Sequence, residues 1–256
     1  MPAPRLIARL DIKGPNVIKG IHLEGLRIVG QPGPMARRYY DDGVDEIIYM
    51  DTVASLYGRN NILPVVEDAA RDIFVPLTVG GGIRTIEDIV AALRAGADKV
   101  AINTAAIARP DFLRDAAETF GSQCIVLSVE AKRRGEERWE ALTDNGRERT
   151  GVDVLSWVAE AEQLGVGEVL VTSVDAEGTR RGFDHDLFRA VRACVSVPVI
   201  GSGGAGQATD IVATVVEDGL DAVACASLFH YEQCPPQMLK AHMAEAGIPV
   251  RPEASA

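Results

Sequence analysis

Histidine and cysteine are scarce in this chain, and where they occur they do not cluster. Cys124, Cys194, Cys225 and Cys234 lack the short paired spacing of a metal site, and no His-x-x-His pattern joins His22, His185, His230 and His242. Neither a metal nor another cofactor is expected. The cysteines fall mostly in apolar runs and read as reduced core thiols of a cytosolic enzyme. No apolar run reaches the roughly 18 residues of a membrane span, and the N-terminal stretch has no signal-peptide apolar region. A cytoplasmic protein without a membrane partner is therefore expected. Cationic charge is also short, with 26 Lys+Arg against 37 Asp+Glu and a formal net charge of -11. Nucleic acid, which needs a phosphate-neutralising field, is excluded as a partner. A small anionic substrate is not, because local Arg, Lys and backbone N–H groups can hold it. No Gly-x-Gly-x-x-Gly fingerprint stands in a dinucleotide-binding context, so a nicotinamide cofactor has no support.

What the chain does contain, it contains twice. Val75-Pro76-Leu77-Thr78-Val79-Gly80-Gly81-Gly82 returns about 122 residues later as Val197-Pro198-Val199-Ile200-Gly201-Ser202-Gly203-Gly204. Gly96-Ala97-Asp98-Lys99-Val100 returns as Gly219-Leu220-Asp221-Ala222-Val223, and Arg9-Leu10-Asp11-Ile12-Lys13 answers to Ser128-Val129-Glu130-Ala131-Lys132. With the runs ending in Asp51 and Asp175, these make four landmarks in the same order at nearly constant spacing, which indicate a duplicated half, about residues 1–121 and 122–246, within a single domain of residues 1–256.

Short apolar runs alternate with segments of helical period, the pattern of βα units. Strands are predicted over Leu6 to Asp11, Glu46 to Asp51, Val75 to Gly80, Lys99 to Asn103, Cys124 to Glu130, Glu168 to Val174, Val197 to Ser202 and Ala222 to Ala226. Helices are predicted over Pro34 to Asp42, Asn61 to Arg71, Thr85 to Ala95, Pro110 to Thr119, Gly151 to Leu164, Asp184 to Ala193, Ala208 to Glu217 and Pro236 to Glu245. Eight evenly spaced units in two sets of four point to a (β/α)₈ barrel, a TIM barrel with an internal two-fold half-barrel repeat. The stretch from Arg133 to Thr150, with Trp139 among charges, reads as too hydrophilic for core and as an insertion or hairpin after strand five. The segment from Lys13 to Gly30 reads as a long, mobile loop after strand one holding Lys19, His22 and Arg27.

In such barrels the loops after the strands form the active face, and period-two alternation selects the inward side chains. Asp11 closes strand one above inward Arg9, and Glu130 closes strand five across the mouth. Opposed carboxyl groups can serve as general acid and base, or they can be caps and salt-bridge partners. Gly80-Gly81-Gly82 and Gly203-Gly204 each end a strand where exposed backbone N–H groups can hold an anion. Asn103-Thr104 and Ala226-Ser227 end strands four and eight beside them. Their recurrence points to a substrate with two phosphate ends. Asp51 and Asp175, with Thr172 and Ser173 near the latter, could orient hydroxyls or hold loops. Histidines are not expected to carry the site. At the opposite end, Arg5, Glu46, Lys99 and Glu168 point inward as two cations and two anions, either a neutral plug or a gate into an internal passage.

Taken together, these residues resemble the cyclase subunit family of imidazole glycerol phosphate synthase, over residues 5 to 248. The stretches that carry the resemblance include Val17-Ile18-Lys19-Gly20, Thr78-Val79-Gly80-Gly81-Gly82-Ile83, Ile102-Asn103-Thr104-Ala105, Phe120-Gly121-Ser122-Gln123 and Ser202-Gly203-Gly204-Ala205-Gly206. The resemblance implies a lyase that takes ammonia from a glutaminase partner in a heterodimer. Its substrate would be a bisphosphorylated ribulosyl aminoimidazole carboxamide, converted to imidazole glycerol phosphate and aminoimidazole carboxamide ribotide. It implies catalytic roles for Asp11 and Glu130, phosphate contacts for Gly81, Gly82, Asn103, Thr104, Gly203, Gly204 and Ser227, and an ammonia gate of Arg5, Glu46, Lys99 and Glu168; Lys19, Asp51, Thr172 and Asp175 are candidate substrate contacts from their place in the strand ends and loops of the mouth. Asp98 and Gln123 would face the partner. Two positions depart from the family pattern: Glu130 replaces an aspartate, and Arg9 replaces an uncharged cysteine. Arg9 and Glu130 are expected to pair across the barrel, which would lower the Glu130 pKa. Two other readings remain open at this point: an ammonia-dependent paralogue amidating another phosphorylated or nucleotide-linked sugar, and a non-catalytic phosphate-binding barrel.

Overall fold

The computed structural model describes residues 3–54 and 62–251. Among them, eight parallel strands close into a barrel: β1 (Arg5–Lys13), β4 (Glu46–Asp51), β5 (Leu77–Gly80), β6 (Lys99–Ile102), β7 (Ile125–Gly135), β10 (Glu168–Ser173), β11 (Val199–Ser202) and β12 (Ala222–Cys225). Each pairs in parallel with its neighbours, and β7 pairs with β10 to complete the ring. β1 and β7 stand four strands apart in either direction round that ring. Asp11 and Glu130 therefore rise from opposite walls.

The strands form because each is a short β-branched or aliphatic run that can be covered on both faces. Outward residues such as Leu6, Leu127 and Val169 pack beneath the helices. Inward residues make a separate cluster that includes Ile7, Ile48, Val126, Leu170, Ile200 and Ala224. Between strands run the principal helices α1 (Pro32–Asp41), α2 (Leu63–Ala69), α3 (Ile86–Arg94), α5 (Asp111–Phe120), α6 (Val154–Gln163), α7 (His185–Cys194), α8 (Ala208–Asp218) and α10 (Pro236–Glu245). Thr85 caps α3 through a reciprocal box with Asp88, as the Thr85-Ile86-Glu87-Asp88 run predicts. The predicted start of the second helix at Asn61 lies outside the described residues.

One device recurs at the strand starts. The carboxylates of Asp45, Asp98 and Asp221 accept from the backbone N–H of Leu6 and Leu77 at 2.8 Å and of Val199 at 3.0 Å. Each ties the beginning of one strand to the residue preceding a neighbouring strand. Asp98 thus has a structural task while remaining exposed, and exposed Gln123 sits at the same end of the barrel, before β7.

Several expectations need correction. The segment after strand one is a hairpin of β2 (Asn16–Ile21) and β3 (Glu24–Gly30), not a loose loop, and β2 pairs with the end of β1. His22, at its turn, is pinned: its N–H donates to the Glu177 carbonyl at 2.8 Å, and Nδ1 lies 2.9 Å from the Val174 carbonyl. The hydrophilic segment after strand five is a hairpin as expected, with β7 extended to Gly135 and joined by β8 (Arg138–Thr143) and β9 (Glu148–Asp153). Trp139, however, is core. It is 2% exposed, lies under the Arg133 guanidinium at 4.8 Å and donates to Asp184 at 3.4 Å. Its charged neighbours alternate to the other face of the strand, which an average over the stretch hides. Two short helices, α4 (Thr104–Ala108) and α9 (Ser227–His230), also escaped the periodicity. Of the cysteines, Cys194 is exposed and the other three are buried.

Replacing a buried tryptophan with alanine removes both packing and the stacked guanidinium. Trp139→Ala should lower the unfolding free energy by about 3–5 kcal/mol in denaturant titration. A loss under about 1 kcal/mol would show that the hairpin is an appendage rather than part of the core.

Candidate active site

The barrel interior is layered along its axis. At the strand starts, Arg5 Nη1 meets Glu46 Oε1 at 2.7 Å, Lys99 Nζ meets Glu46 Oε2 and Glu168 Oε2 at 2.9 Å, and Arg5 Nη2 pairs with Glu168. Every member of this four-charge ring therefore has two opposite neighbours, which offsets the desolvation of burial. Above it lies the inward apolar cluster. Higher still comes a polar layer of Arg9, Thr172, Ser202 and Ser128, and then the carboxyl groups at the mouth.

Arg9 does not form the expected pair with Glu130. Its Nε donates to Asp11 Oδ1 at 2.9 Å, and Nη1 donates to Thr172 Oγ1 at 2.7 Å and Ser202 Oγ at 3.3 Å. Residues two apart on a strand share one face, so Arg9 meets Asp11 along its own row. Reaching across the barrel would forfeit the two hydroxyl acceptors. Glu130 is held instead by neutral donors, Asn103 Nδ2 at 3.1 Å and the Gly146 N–H at 2.7 Å.

These surroundings push the two carboxyl groups apart. Burial opposes the charge of Asp11, but Arg9 and then Lys19, 3.6 Å from its other oxygen, hold Asp11 below the usual carboxylate range. Burial drives Glu130 from 4.5 up to about 7, against the pull of Arg9 and the Gly146 N–H and with the repulsion of Asp11 and Asp144. The lowered Glu130 pKa expected from an ion pair is thus reversed.

The remaining candidates sort into two cradles and an outlying pair. Asp51, Gly81, Gly82, Asn103 and Thr104 line one cavity together with Glu130. Gly81 has φ +89°, and a Cβ there would lie 2.1 Å from the Asp51 carbonyl oxygen, so only glycine fits. Lys19, Gly203, Gly204 and Ser227 line a second cavity on the opposite wall. Gly204 has φ +115°, with the Gly182 carbonyl oxygen 2.1 Å from where a Cβ would stand. From this cradle opens a wider cavity of about 730 Å³ lined by Lys19, Arg27, Arg180, Ser227 and Tyr231. Thr172 lies below, committed to Arg9. Asp175 is drawn away to Lys132 and to the Arg133 N–H at 2.8 Å. Asp51 Oδ1 is likewise occupied at 3.0 Å by the N–H groups of Val53 and Ala54.

Residue-by-residue reading missed three contributors. Glu177, in the loop after β10, is buried against Lys19. Asn145 lines the first cavity from the β8–β9 turn, where its φ is +58°. The Asp144-Asn145-Gly146 run carries a turn signal that could have placed it there. His230, set aside on sequence grounds, is buried in α9 close enough to act electrostatically on Asp11. Tyr39 Oη lies 2.7 Å from its Nδ1, and burial followed by Lys19 pushes its pKa down to about 4, so it is neutral at pH 7.

The family described as "Histidine biosynthesis protein" matches residues 5–235. The chain belongs to that family. It is 61% identical over 203 residues to the imidazole glycerol phosphate synthase subunit HisF of Legionella pneumophila, covering 79% of this chain and 96% of the relative. It is 49% identical over 255 residues to the subunit of the same name from Mycobacteroides abscessus, covering 97% of this chain and 99% of that one. The family assignment thus spans both cradles and both carboxyl groups. No helix among the described residues is long and apolar enough to cross a membrane.

The raised Glu130 pKa has a stability consequence. The folded chain keeps this proton up to about pH 7, whereas the unfolded carboxyl releases it near 4.5. Stability contributed by the protonated form is therefore lost as pH rises through that window. Glu130→Gln, which cannot ionise, should be more stable than the parent above pH 7 by about 1–3 kcal/mol. The advantage should fade toward pH 5. An advantage of equal size at both pH values would mean that the folded chain does not hold the proton.

Proposed function

We propose that the chain is the cyclase subunit of imidazole glycerol phosphate synthase. It is a cytoplasmic lyase of histidine biosynthesis that works with a glutaminase subunit supplying ammonia. Its substrate is a bisphosphorylated ribulosyl aminoimidazole carboxamide, and its products are imidazole glycerol phosphate and aminoimidazole carboxamide ribotide. The observation that carries this reading is the pair of glycine cradles on opposite walls of one barrel mouth, with two buried carboxyl groups between them. A rigid span between backbone anion sites selects a substrate with phosphate at both ends, and it fixes the reacting centre over the carboxyls.

In this reading Gly81, Gly82, Asn103 and Thr104 take one phosphate, while Gly203, Gly204 and Ser227, assisted by Lys19, take the other. Asp11 and Glu130 act on the bonds made and broken between them. Thr172 and Asp175 shape the site through the side chains and loops they hold, and Asp51, whose Oδ1 holds the loop after its strand, lines the first cavity. Arg5, Glu46, Lys99 and Glu168 form the entrance for ammonia, and exposed Asp98 and Gln123 at the same end belong to the glutaminase-facing surface. The half-barrel duplication accounts for matched cradles on the two walls.

Identities of 49–61% to subunits bearing the synthase name favour this reaction over amidation of another sugar. Opposed carboxyls between two anion sites are more than a passive binding barrel requires. Purified chain supplied with ammonia at alkaline pH should convert the ribulosyl substrate to both products, and a glutaminase subunit with glutamine should replace free ammonia. Tight binding of the bisphosphate with no product under either nitrogen source would reject the assignment.

A further inference from the structure

Arg9 places a permanent positive charge inside the barrel, because a guanidinium does not lose its proton in this pH range. It is 2% exposed, above an apolar layer, and among the described residues its one acidic hydrogen-bond partner is Asp11; Thr172 and Ser202 offer only neutral oxygens. The second oxygen of Asp11 faces Lys19 on β2, which is itself paired with Glu177 from the loop after β10. His230 on α9 faces the same group and is neutral. Both oxygens of Asp11 therefore meet cations, and the closer of the two is fixed on its own strand.

Glu130 occupies the corresponding place on the opposite wall and, among the described residues, has no such contact. An amide and a backbone N–H bind it, Asp11 and Asp144 repel its charge, and the remaining influence of Arg9 does not overcome burial. A carboxyl group poised near neutrality can both give and take a proton during turnover. One clamped by two cations is a weak base and a poor acid.

We propose that Arg9 is a positioning residue that makes Asp11 a fixed anion and leaves Glu130 as the carboxyl group that exchanges protons with the reacting substrate. This rests on the cyclase reading above. In the reaction, the ammonia-derived nitrogen forms a C–N bond to the carbon that carries the departing nitrogen, and the C–N bond to the departing nitrogen breaks. Glu130 gives its proton to that nitrogen, which leaves on aminoimidazole carboxamide ribotide, and its carboxylate takes a proton from the incoming nitrogen, so that it ends the cycle as it began. Asp11 stays ionised throughout and faces the positive charge that builds on nitrogen.

Two measurements test this. Carbon-detected NMR titration of side-chain carboxyls in the full-length chain should find Asp11 ionised below its ordinary value of 3.8 and Glu130 titrating near neutrality. Arg9→Gln should raise the Asp11 transition by about one pH unit or more, and Arg9→Lys should largely restore it. In the pH dependence of kcat/KM, Asp11→Asn should lower the rate and leave the near-neutral transition in place, whereas Glu130→Gln should abolish that transition. The proposal is overturned if Asp11 titrates at or above its ordinary value in the parent chain, or if its transition is unmoved in Arg9→Gln. It is equally overturned if Asp11→Asn removes the near-neutral transition. The parent titration needs neither turnover nor a stable variant. A chain without cyclase activity would therefore reject the functional assignment and still leave the charge assignment open to this measurement.

Discussion

Closure of the sheet between β7 and β10 is the constraint on which the other features depend. Once eight strands are hydrogen-bonded on both sides, the girth of the barrel is set and each strand must send alternate side chains into one shared interior. Those side chains cannot be averaged with solvent, so their order along the axis becomes a property of the molecule. Here the order is a ring of alternating charge, an apolar layer, a polar layer around Arg9, and carboxyl groups at the mouth. The ring tolerates burial because Arg5, Glu46, Lys99 and Glu168 each touch two opposite charges. Removing one member would leave two neighbours underpaired, which is more costly than never having built the ring.

The same closure explains how related positions acquire different chemistry. Asp11 and Glu130 stand at the barrel mouth on facing walls, and each strand runs on past them into a hairpin. The hairpin after β1 brings Lys19 over Asp11, and the strand itself supplies Arg9. The hairpin after β7 turns through Asp144, Asn145 and Gly146 and brings a backbone N–H and a negative charge to Glu130. Equivalent backbones thus carry unlike electrostatic surroundings. The separation of the two carboxyls follows from what the hairpins contribute and not from the carboxyl groups themselves, which is the general way that one fold holds an acid and an anion side by side.

This division also marks what could be read from residues alone. The eight barrel strands were legible because each is a short apolar run bounded by turn residues, and the ends of Glu46–Asp51 agree with the observed strand. The inward row Arg5, Ile7, Arg9 and Asp11 followed from alternation. Which partner Arg9 chooses did not, because alternation gives the row but neither the reach of a guanidinium nor the claims of nearby hydroxyls. Glu177 and His230 were invisible for a related reason. Each enters the site from a loop or a one-turn helix whose path depends on tertiary contacts, and neither position has a periodic signal. Trp139 failed differently, since its own alternation was present and was masked by the polarity of its neighbours.

Arg9 and Lys19 are not equivalent cations for Asp11. Lys19 stands on a hairpin at the mouth, is shared with Glu177 and lines the cavity of the second cradle, so any anion entering that cradle competes for it. Its hold on Asp11 therefore varies with the occupancy of the site. Arg9 is anchored below the mouth by Asp11 on its own strand and by Thr172 and Ser202 from two adjacent strands, and of these only Ser202 also lines the second cradle. A lysine at position 9 could keep the charge but could not make three directed bonds in the fixed plane of a guanidinium. The constant part of the field on Asp11 thus comes from the barrel wall, and the variable part comes from the hairpin that meets the ligand.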